Sequence, residues 1–282
     1  MNCTIKEVMS ERALVPSSIL LGDCVINPYR GCSYACRYCY VQKNKTIEKR
    51  QVAWGSFVDI KVNIAELLRK ELQSKKVKRV LIGSTTEVYQ PCEEDYKLMR
   101  DILGILNEHD IACTILTKSP LIFRDVDLLK KNRDAQIYFT VISLPEEVSC
   151  VIEPSAISFD ERTHVIKALV QAGIDVHVYV NPIIPYIFTA EIVMSTFFGI
   201  TPFLDFEGIN LKMIDWHDLR KCLAQFFPQE VMCIDTIVSD ARMWNQYWDE
   251  LHNEIIEKNK VYDYSVKTFF HSSSSFFGIL NY

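Results

Sequence analysis

The chain has 282 residues, 49% hydrophobic and 24% charged, a balance that supports a large buried core and excludes a disordered or fibrous chain. No apolar run approaches the ~18 residues of a membrane span, and residues 1–18 hold no apolar stretch of the secretory kind, so a cytoplasmic protein without membrane association is expected. The net charge of −5 is uneven: residues 1–80 carry 15 Lys and Arg against 7 Asp and Glu, the remainder 16 against 29. A basic N-terminal third can face an anionic ligand or nucleic acid. Within it, Lys75, Lys76, Lys78 and Arg79 read better as a solvated helix end. Arg37, Lys43, Lys45, Lys49 and Arg50 form a second basic group, still unassigned.

Residues 22–29 read as a strand and 62–76 as a helix with Val62, Ala65, Leu68 and Leu72 on one face. Residues 78–86 are β-branched and strand-like, and 93–109 form a helix that opens with acids, as its N-terminus favours. A strand over 111–119, a helix over 124–134 and a strand over 136–144 follow. The helix over 158–173 has Ser158 as N-cap, Glu161 three residues later and Gly173 at its end. Residues 175–185 are a strand, 189–199 a weaker helix, 208–214 a strand, and 217–227 a helix ending before Pro228. This alternation amounts to six βα units and predicts a mainly parallel sheet, either doubly wound or a full or partial barrel, with strands buried on both faces. In both topologies ligands bind at the C-terminal strand ends. Residues 1–228 form the predicted α/β domain. Residues 229–282 are a helical extension, with a long helix carrying Trp244, Tyr247 and Trp248 and then a Ser-rich linker and apolar tail over 271–282.

Ten cysteines without an export signal make a disulfide framework unlikely on chemical grounds, and a tight group of them points to metal or thiol chemistry. Cys32, Cys36 and Cys39 form such a group, C-x3-C-x2-C, within NPYRGCSYACRYCYVQ on the loop after the first strand. Three thiolates so spaced can hold three irons of a cubane and leave the fourth open to a ligand. Gly31 suits a closely wrapped loop, and Tyr38 and Tyr40 can pack on the cluster or its ligand. Three other readings stand beside this one, the plainest being three core cysteines by chance, against which the Arg, Tyr and Gly content of the segment counts. Structural zinc takes four ligands, commonly in two pairs, and no partner pair or nearby histidine completes the set. A redox C-x2-C pair leaves Cys32 unexplained.

At these residues the chain resembles the radical S-adenosylmethionine superfamily, and more narrowly its spore photoproduct lyase-like branch, whose pattern N-P-Y-x-G-C-x-x-x-C-x-Y-C-Y it matches. Similar stretches continue at 54–72, 83–103, 115–129 and 152–185. The resemblance implies a partial (β/α)6 barrel, a 4Fe-4S cluster on Cys32, Cys36 and Cys39, and S-adenosylmethionine chelated to the fourth iron. Reductive cleavage would yield a 5′-deoxyadenosyl radical that takes a hydrogen atom from a substrate: a DNA lesion, a peptide or a small molecule; the non-enzyme alternative is a cluster- or zinc-containing binding module on a degenerate barrel. An electron donor such as a flavodoxin or ferredoxin is implied as well. Tyr38, Ser84, Lys118 and Ser143 fall where the family contacts the cofactor, and Thr85 and Arg162 at further such positions; Tyr40 stands beside them. Arg162 and Glu153 are candidates for an ion pair that shapes the site. The lyase returns hydrogen through a thiol, for which Cys92 and Cys150, on loops after strands, are the candidates; Cys113 lies inside a strand and reads as core. Three features depart from the family: Tyr34-Ala35 replaces His-Gly, Glu87 replaces Asp, and 186–190 (YIFTA) replaces a Gly-containing turn.

Overall fold

A computed structural model describes residues 3–271; the apolar tail predicted beyond His271 lies outside the described residues. Among the described residues there are eleven strands: β1 Thr4–Val8, β2 Val15–Pro16, β3 Cys24–Ile26, β4 Tyr29–Gly31, β5 Phe57–Lys61, β6 Arg79–Ile82, β7 Ala112–Thr117, β8 Gln136–Val141, β9 Asp175–Ile183, β10 Phe203–Gly208 and β11 Ser265–Phe269. Eight of them form one sheet in the order β11-β10-β9-β8-β7-β6-β3-β2, and β1, β5 and β4 form a second, smaller one. From β3 to β11 the large sheet is parallel throughout; only β2 joins antiparallel. A doubly wound sheet reverses its strand order at a switch point. Here the order follows the chain without reversal, which is barrel-type winding. Among the described residues β2 and β11 are its two edges, so the barrel is open. No described helix is long and apolar enough to cross a membrane.

The two faces of the sheet differ, because side chains alternate along a strand. Ile137, Phe139, Val141, Val176, Val178 and Val180 belong to the apolar core, with the helix Phe159–Gln171 packed on β8 and β9. That helix begins as expected, with a capping box between Ser158 and Glu161. The opposite face is not the second apolar layer that β-branched strands imply. In register across it stand Leu116, Tyr138, His177 and Phe203, and one step on, Thr140, Tyr179 and Asp205. The inside of the curved sheet is therefore aromatic and polar.

Several elements differ from expectation. The helix predicted over 93–109 is broken at Lys97, which is left-handed (φ 53°), into Glu93–Tyr96 and Leu98–Glu108. The Glu93 carboxylate accepts the Met99 N–H at 3.0 Å and so starts the second piece itself. The early helix spans Ile64–Leu72 and buries Ile64, Leu68 and Leu72; Val62 lies outside it and is exposed. The strand predicted over 208–214 is in fact β10, which precedes it, because Asp205 and Glu207 face the inside of the sheet; residues 211–213 are a 3-10 turn. The extension contains the helices Pro228–Ser239 and Ala241–Tyr262 and also the unforeseen β11, paired with β10.

The long helix is seated on the sheet by close packing. A Cβ on Gly208 would stand 2.8 Å from Cη2 of Trp248, whose ring is buried against that strand end. Gly208→Ala should destabilise the fold by ~1–3 kcal/mol through overpacking. Gly104→Ala, in a helix with nothing within 4 Å of the new methyl, should stabilise it by about 0.5–1 kcal/mol. Urea denaturation of the two variants beside the wild type measures both signs.

Candidate active site

The cysteine loop leaves β4 through Gly31, at φ 87°, where a Cβ would lie 2.3 Å from the Phe57 carbonyl oxygen; only glycine fits such a turn. Its two ends are tied down. Tyr29 donates its hydroxyl to the buried Glu93 carboxylate, which also pairs with Arg124 at 2.6 Å. The Gly31 carbonyl accepts from the Thr86 hydroxyl at 2.7 Å, and the Ser33 N–H donates to Gln90 Oε1 at 3.0 Å. The Arg37 N–H reaches the Ile152 carbonyl at 2.9 Å. Cys32 and Cys36 are buried and Cys39 half-buried, and all three line one cavity of about 700 Å³ with Tyr34, Tyr38, Tyr40 and Trp54. The cavity opens at the C-terminal ends of β6 to β11, touching Ser84, Lys118, Thr140, Asn181, Glu207 and Phe269, where ligand sites of such sheets lie.

The sulfurs have donors. The Glu87 N–H points at Cys32 Sγ at 3.5 Å, and Lys118 Nζ lies 3.6 Å from Cys36 Sγ. Burial pushes all three thiols up, Cys39 to about 12, with the neighbouring Cys36 adding to it. Such thiols ionise only beside compensating positive charge, of the kind a metal ion supplies. Among the described residues no three Cys, His, Asp or Glu side chains converge closely enough to hold a single ion. Three thiols spread over one wall instead suit a polynuclear cluster, one metal atom for each.

Lys118, at the end of β7, is not a solvent-facing cation. Its ammonium donates to Glu153 Oε1 at 2.7 Å and to the Tyr38 hydroxyl. Tyr38 in turn donates to Glu153, and Arg162 pairs with the second carboxylate oxygen. Burial alone would raise the Glu153 pKa, but the charges of Arg162 and Lys118 outweigh it and hold the carboxyl at about 2. Arg162 also donates to the carbonyls of Ile157 at 3.0 Å and Thr140 at 3.2 Å; it sits behind the wall and acts on the cavity through Glu153.

Ser84 and Thr85 line the cavity after β6. Asn27 holds them there, donating to Ser84 Oγ at 3.3 Å and accepting the Thr85 N–H at 3.1 Å. Tyr40 donates to the Ser84 carbonyl, joining the cysteine loop to the same turn. Glu87 is buried and accepts from the Thr117 hydroxyl at 2.6 Å and the N–H groups of Tyr89 and Lys118, both at 2.9 Å. Ser143 is half-buried beyond β8 and does not line the cavity. Neither Cys92 nor Cys150 is brought to it. Cys92 is buried in the main core, where burial and then Glu93 push its thiol up to about 12, and Cys150 is exposed on the helix Glu146–Ile152. That helix was not foreseen, and it carries Cys150 outward. Sequence reasoning also missed Trp54, Asn27, Gln90 and the β9–β10 wall; only the alternation in FLDFEG signals the last.

With this geometry in view the comparisons agree. The model of the radical SAM superfamily matches residues 26–197. An uncharacterized protein of Methanocaldococcus jannaschii is 31% identical over 259 residues, 90% of this chain and 94% of that one. A protein of Pseudomonas phage M6 named radical SAM Nalpha-GlyT isomerase is 24% identical over 172 residues, 60% of this chain and 35% of its own. Among solved structures, spore photoproduct lyase complexed with dinucleoside spore photoproduct superposes with a TM-score of 0.68 at 15% identity, over 95% of this chain and 82% of the other. The chain belongs to the radical SAM superfamily and is a radical SAM enzyme.

Breaking the buried pair by Glu153→Gln leaves Lys118 and Arg162 uncompensated, a loss of about 3–5 kcal/mol. The contribution has a pH signature. A carboxyl held at about 2 instead of 4.5 stabilises fully above 4.5 and loses that stabilisation as pH falls toward 2. The gap between wild type and Glu153→Gln in urea denaturation should be constant from pH 8 to about 5 and narrow below it. A gap that widens on acidification would show that the carboxylate is not held by these cations.

Proposed function

We propose that Cys32, Cys36 and Cys39 would hold a 4Fe-4S cluster, with S-adenosylmethionine bound beside it, and that a substrate in the same cavity would lose a hydrogen atom. When bound, the reduced cluster supplies one electron to the sulfonium, giving methionine and a 5′-deoxyadenosyl radical. The observation that carries this reading is the meeting of three thiols, Cys32 and Cys36 buried beside the Glu87 N–H and the Lys118 ammonium and Cys39 half-buried, with the open strand ends on one cavity. Ser84 and Thr85 offer hydroxyls and N–H groups to the polar end of the cofactor. Lys118 and Tyr38 fix the cysteine loop through Glu153, and Arg162 is a positioning residue acting through that carboxylate. Apolar side chains such as Leu116, Ile209 and Ile214 on the wall keep water from the reacting groups. In this reading residues 1–228 supply the barrel apart from its edge strand β11, and the described part of the extension adds that strand and the cavity-lining Phe269 and His271. An external electron donor such as a flavodoxin or ferredoxin reduces the cluster.

The test is anaerobic reconstitution with iron and sulfide, followed by dithionite and S-adenosylmethionine. Wild type should turn brown and slowly form 5′-deoxyadenosine, seen by mass spectrometry. Cys32→Ala, Cys36→Ala or Cys39→Ala should each abolish it, while Cys233→Ala, at an exposed surface thiol, should not. A well-loaded protein that binds the cofactor and releases no 5′-deoxyadenosine would leave only a binding role.

A nucleic-acid substrate is the second reading, favoured by one further observation. Arg37 and Arg50 are tied to Asp218 at 2.6 Å and Asp59 at 2.8 Å. Lys43, Lys45 and Lys49 are exposed, just after cavity-lining Tyr40 and Val41. If they track phosphates, DNA retention should fall with salt, and a Lys43→Glu, Lys45→Glu, Lys49→Glu variant should flatten the log–log slope by up to ~3. Equal slopes for the two proteins would remove DNA from the candidates.

A further inference from the structure

One side of the cavity is built for a different partner from the cysteine side. Glu207, at the end of β10, presents a carboxylate to the cavity with 25% of its side chain exposed. It accepts from the Tyr179 hydroxyl and from Asn181 Nδ2 at 3.0 Å, and His271 Nε2 lies 3.4 Å away. No Lys or Arg ammonium or guanidinium is among these partners. Three residues on, Asn210 also lines the cavity, and its Oδ1 is buried with no hydrogen-bond partner. A carboxylate in a mainly apolar cavity is costly unless matched. An amide oxygen buried without a donor is a second deficit of the same sign. Both call for a group that brings N–H bonds and positive charge. The neighbouring wall is apolar: Ile209, Met213 and Phe269 line it and can take a hydrophobic body attached to such a group.

We infer that the wall formed by Tyr179, Asn181, Glu207, Asn210 and His271 is the substrate subsite, and that it takes a primary amine carried on an apolar or aromatic body. The ammonium would sit between Glu207 and Asn210 Oδ1, its three donors matched by the carboxylate and the amide oxygen. An anionic substrate head would meet the Glu207 charge in a low-dielectric setting and be rejected. The inference rests on the proposed function only in assuming that the cysteine side of the cavity is occupied by the cofactor.

The probe is phenethylamine, compared with phenylacetate and 2-phenylethanol. Binding is followed by saturation-transfer NMR and calorimetry on the anaerobic, cluster-loaded protein saturated with S-adenosylmethionine. Phenethylamine should bind at least ~10-fold more tightly than either analogue, since a charge-assisted bond is at stake. Glu207→Gln, which keeps side-chain volume, should remove that preference. Asn210→Leu, a second probe of the wall, should weaken amine binding and leave 2-phenylethanol unaffected. Equal binding of the amine and the carboxylate, no amine binding, or an unchanged preference in Glu207→Gln would overturn the inference. So would a parallel loss of S-adenosylmethionine affinity in both variants, which would assign the wall to the cofactor. Wild type that forms 5′-deoxyadenosine yet shows no amine preference refutes only the subsite; amine preference without 5′-deoxyadenosine refutes only the reaction.

Discussion

Glu153 carries its charge with 1% of its side chain exposed, where an unpaired carboxylate costs several kcal/mol. Three segments converge to prevent that cost: the end of β7 through Lys118, the helix Phe159–Gln171 through Arg162, and the cysteine loop through Tyr38. None of the three positions can shift alone, because each would leave a buried charge or hydroxyl unmatched. The loop that carries the thiols is therefore fixed to the barrel by one carboxylate. Two cations around one anion leave a positive surplus. Lys118, which supplies part of it, also lies 3.6 Å from Cys36 Sγ, so the surplus falls beside that thiol, where it favours the thiolate.

The same accounting explains the inside of the sheet. Strands covered by helices on one side and curved around a cavity on the other need apolar residues only on the helix side. The inner positions are then free for groups that a core would exclude. His177 and Asp205 are bonded at 2.8 Å, with the His177 ring stacked between Tyr138 and Phe203 at 4.4 and 4.3 Å. His177 Nε2 and Asp205 Oδ1 remain without partners. Tyr179 and Glu207 continue this polar row to the cavity wall. Polarity thus rises along β9 and β10 toward the end where ligands enter.

Much of this was legible in the sequence, and the exceptions have physical causes. Periodicity located the parallel strands of the large sheet up to β9, because their core-facing sides are mostly β-branched. The cysteine spacing and Gly31 located the loop, because few residues satisfy its geometry. β10 was missed since Asp205 and Glu207 look like a loop when read as surface residues, and they face inward. The break at Lys97 was missed because Glu93 reads as an ordinary helix-start acid, whereas it is buried and shared by Tyr29, Arg124 and Met99. Glu153 and Arg162 were recognisable as a pair, but the link to Lys118 and Tyr38 is tertiary and has no local pattern. Cys92 and Cys150 were placed by their position after strands, a rule that says nothing about which way a side chain turns.

The departures from the family pattern show how the site tolerates change. Ala35, where the family has glycine, is left-handed at φ 53°, and Tyr186, in the stretch that replaces a Gly-containing turn, is so at φ 62°. Each conformation costs an L-residue about 1–2 kcal/mol. At Ala35 the surroundings enforce it: Ser33 and Arg37 on either side are held by Gln90 and Ile152, so the backbone cannot relax. Room for the alanine methyl comes from Gly55, where an added Cβ would stand 2.4 Å from the Ala35 Cβ. The path of the loop between Cys32 and Cys36 thus depends on the close crossing of Ala35 and Gly55, where no side chain on residue 55 would fit.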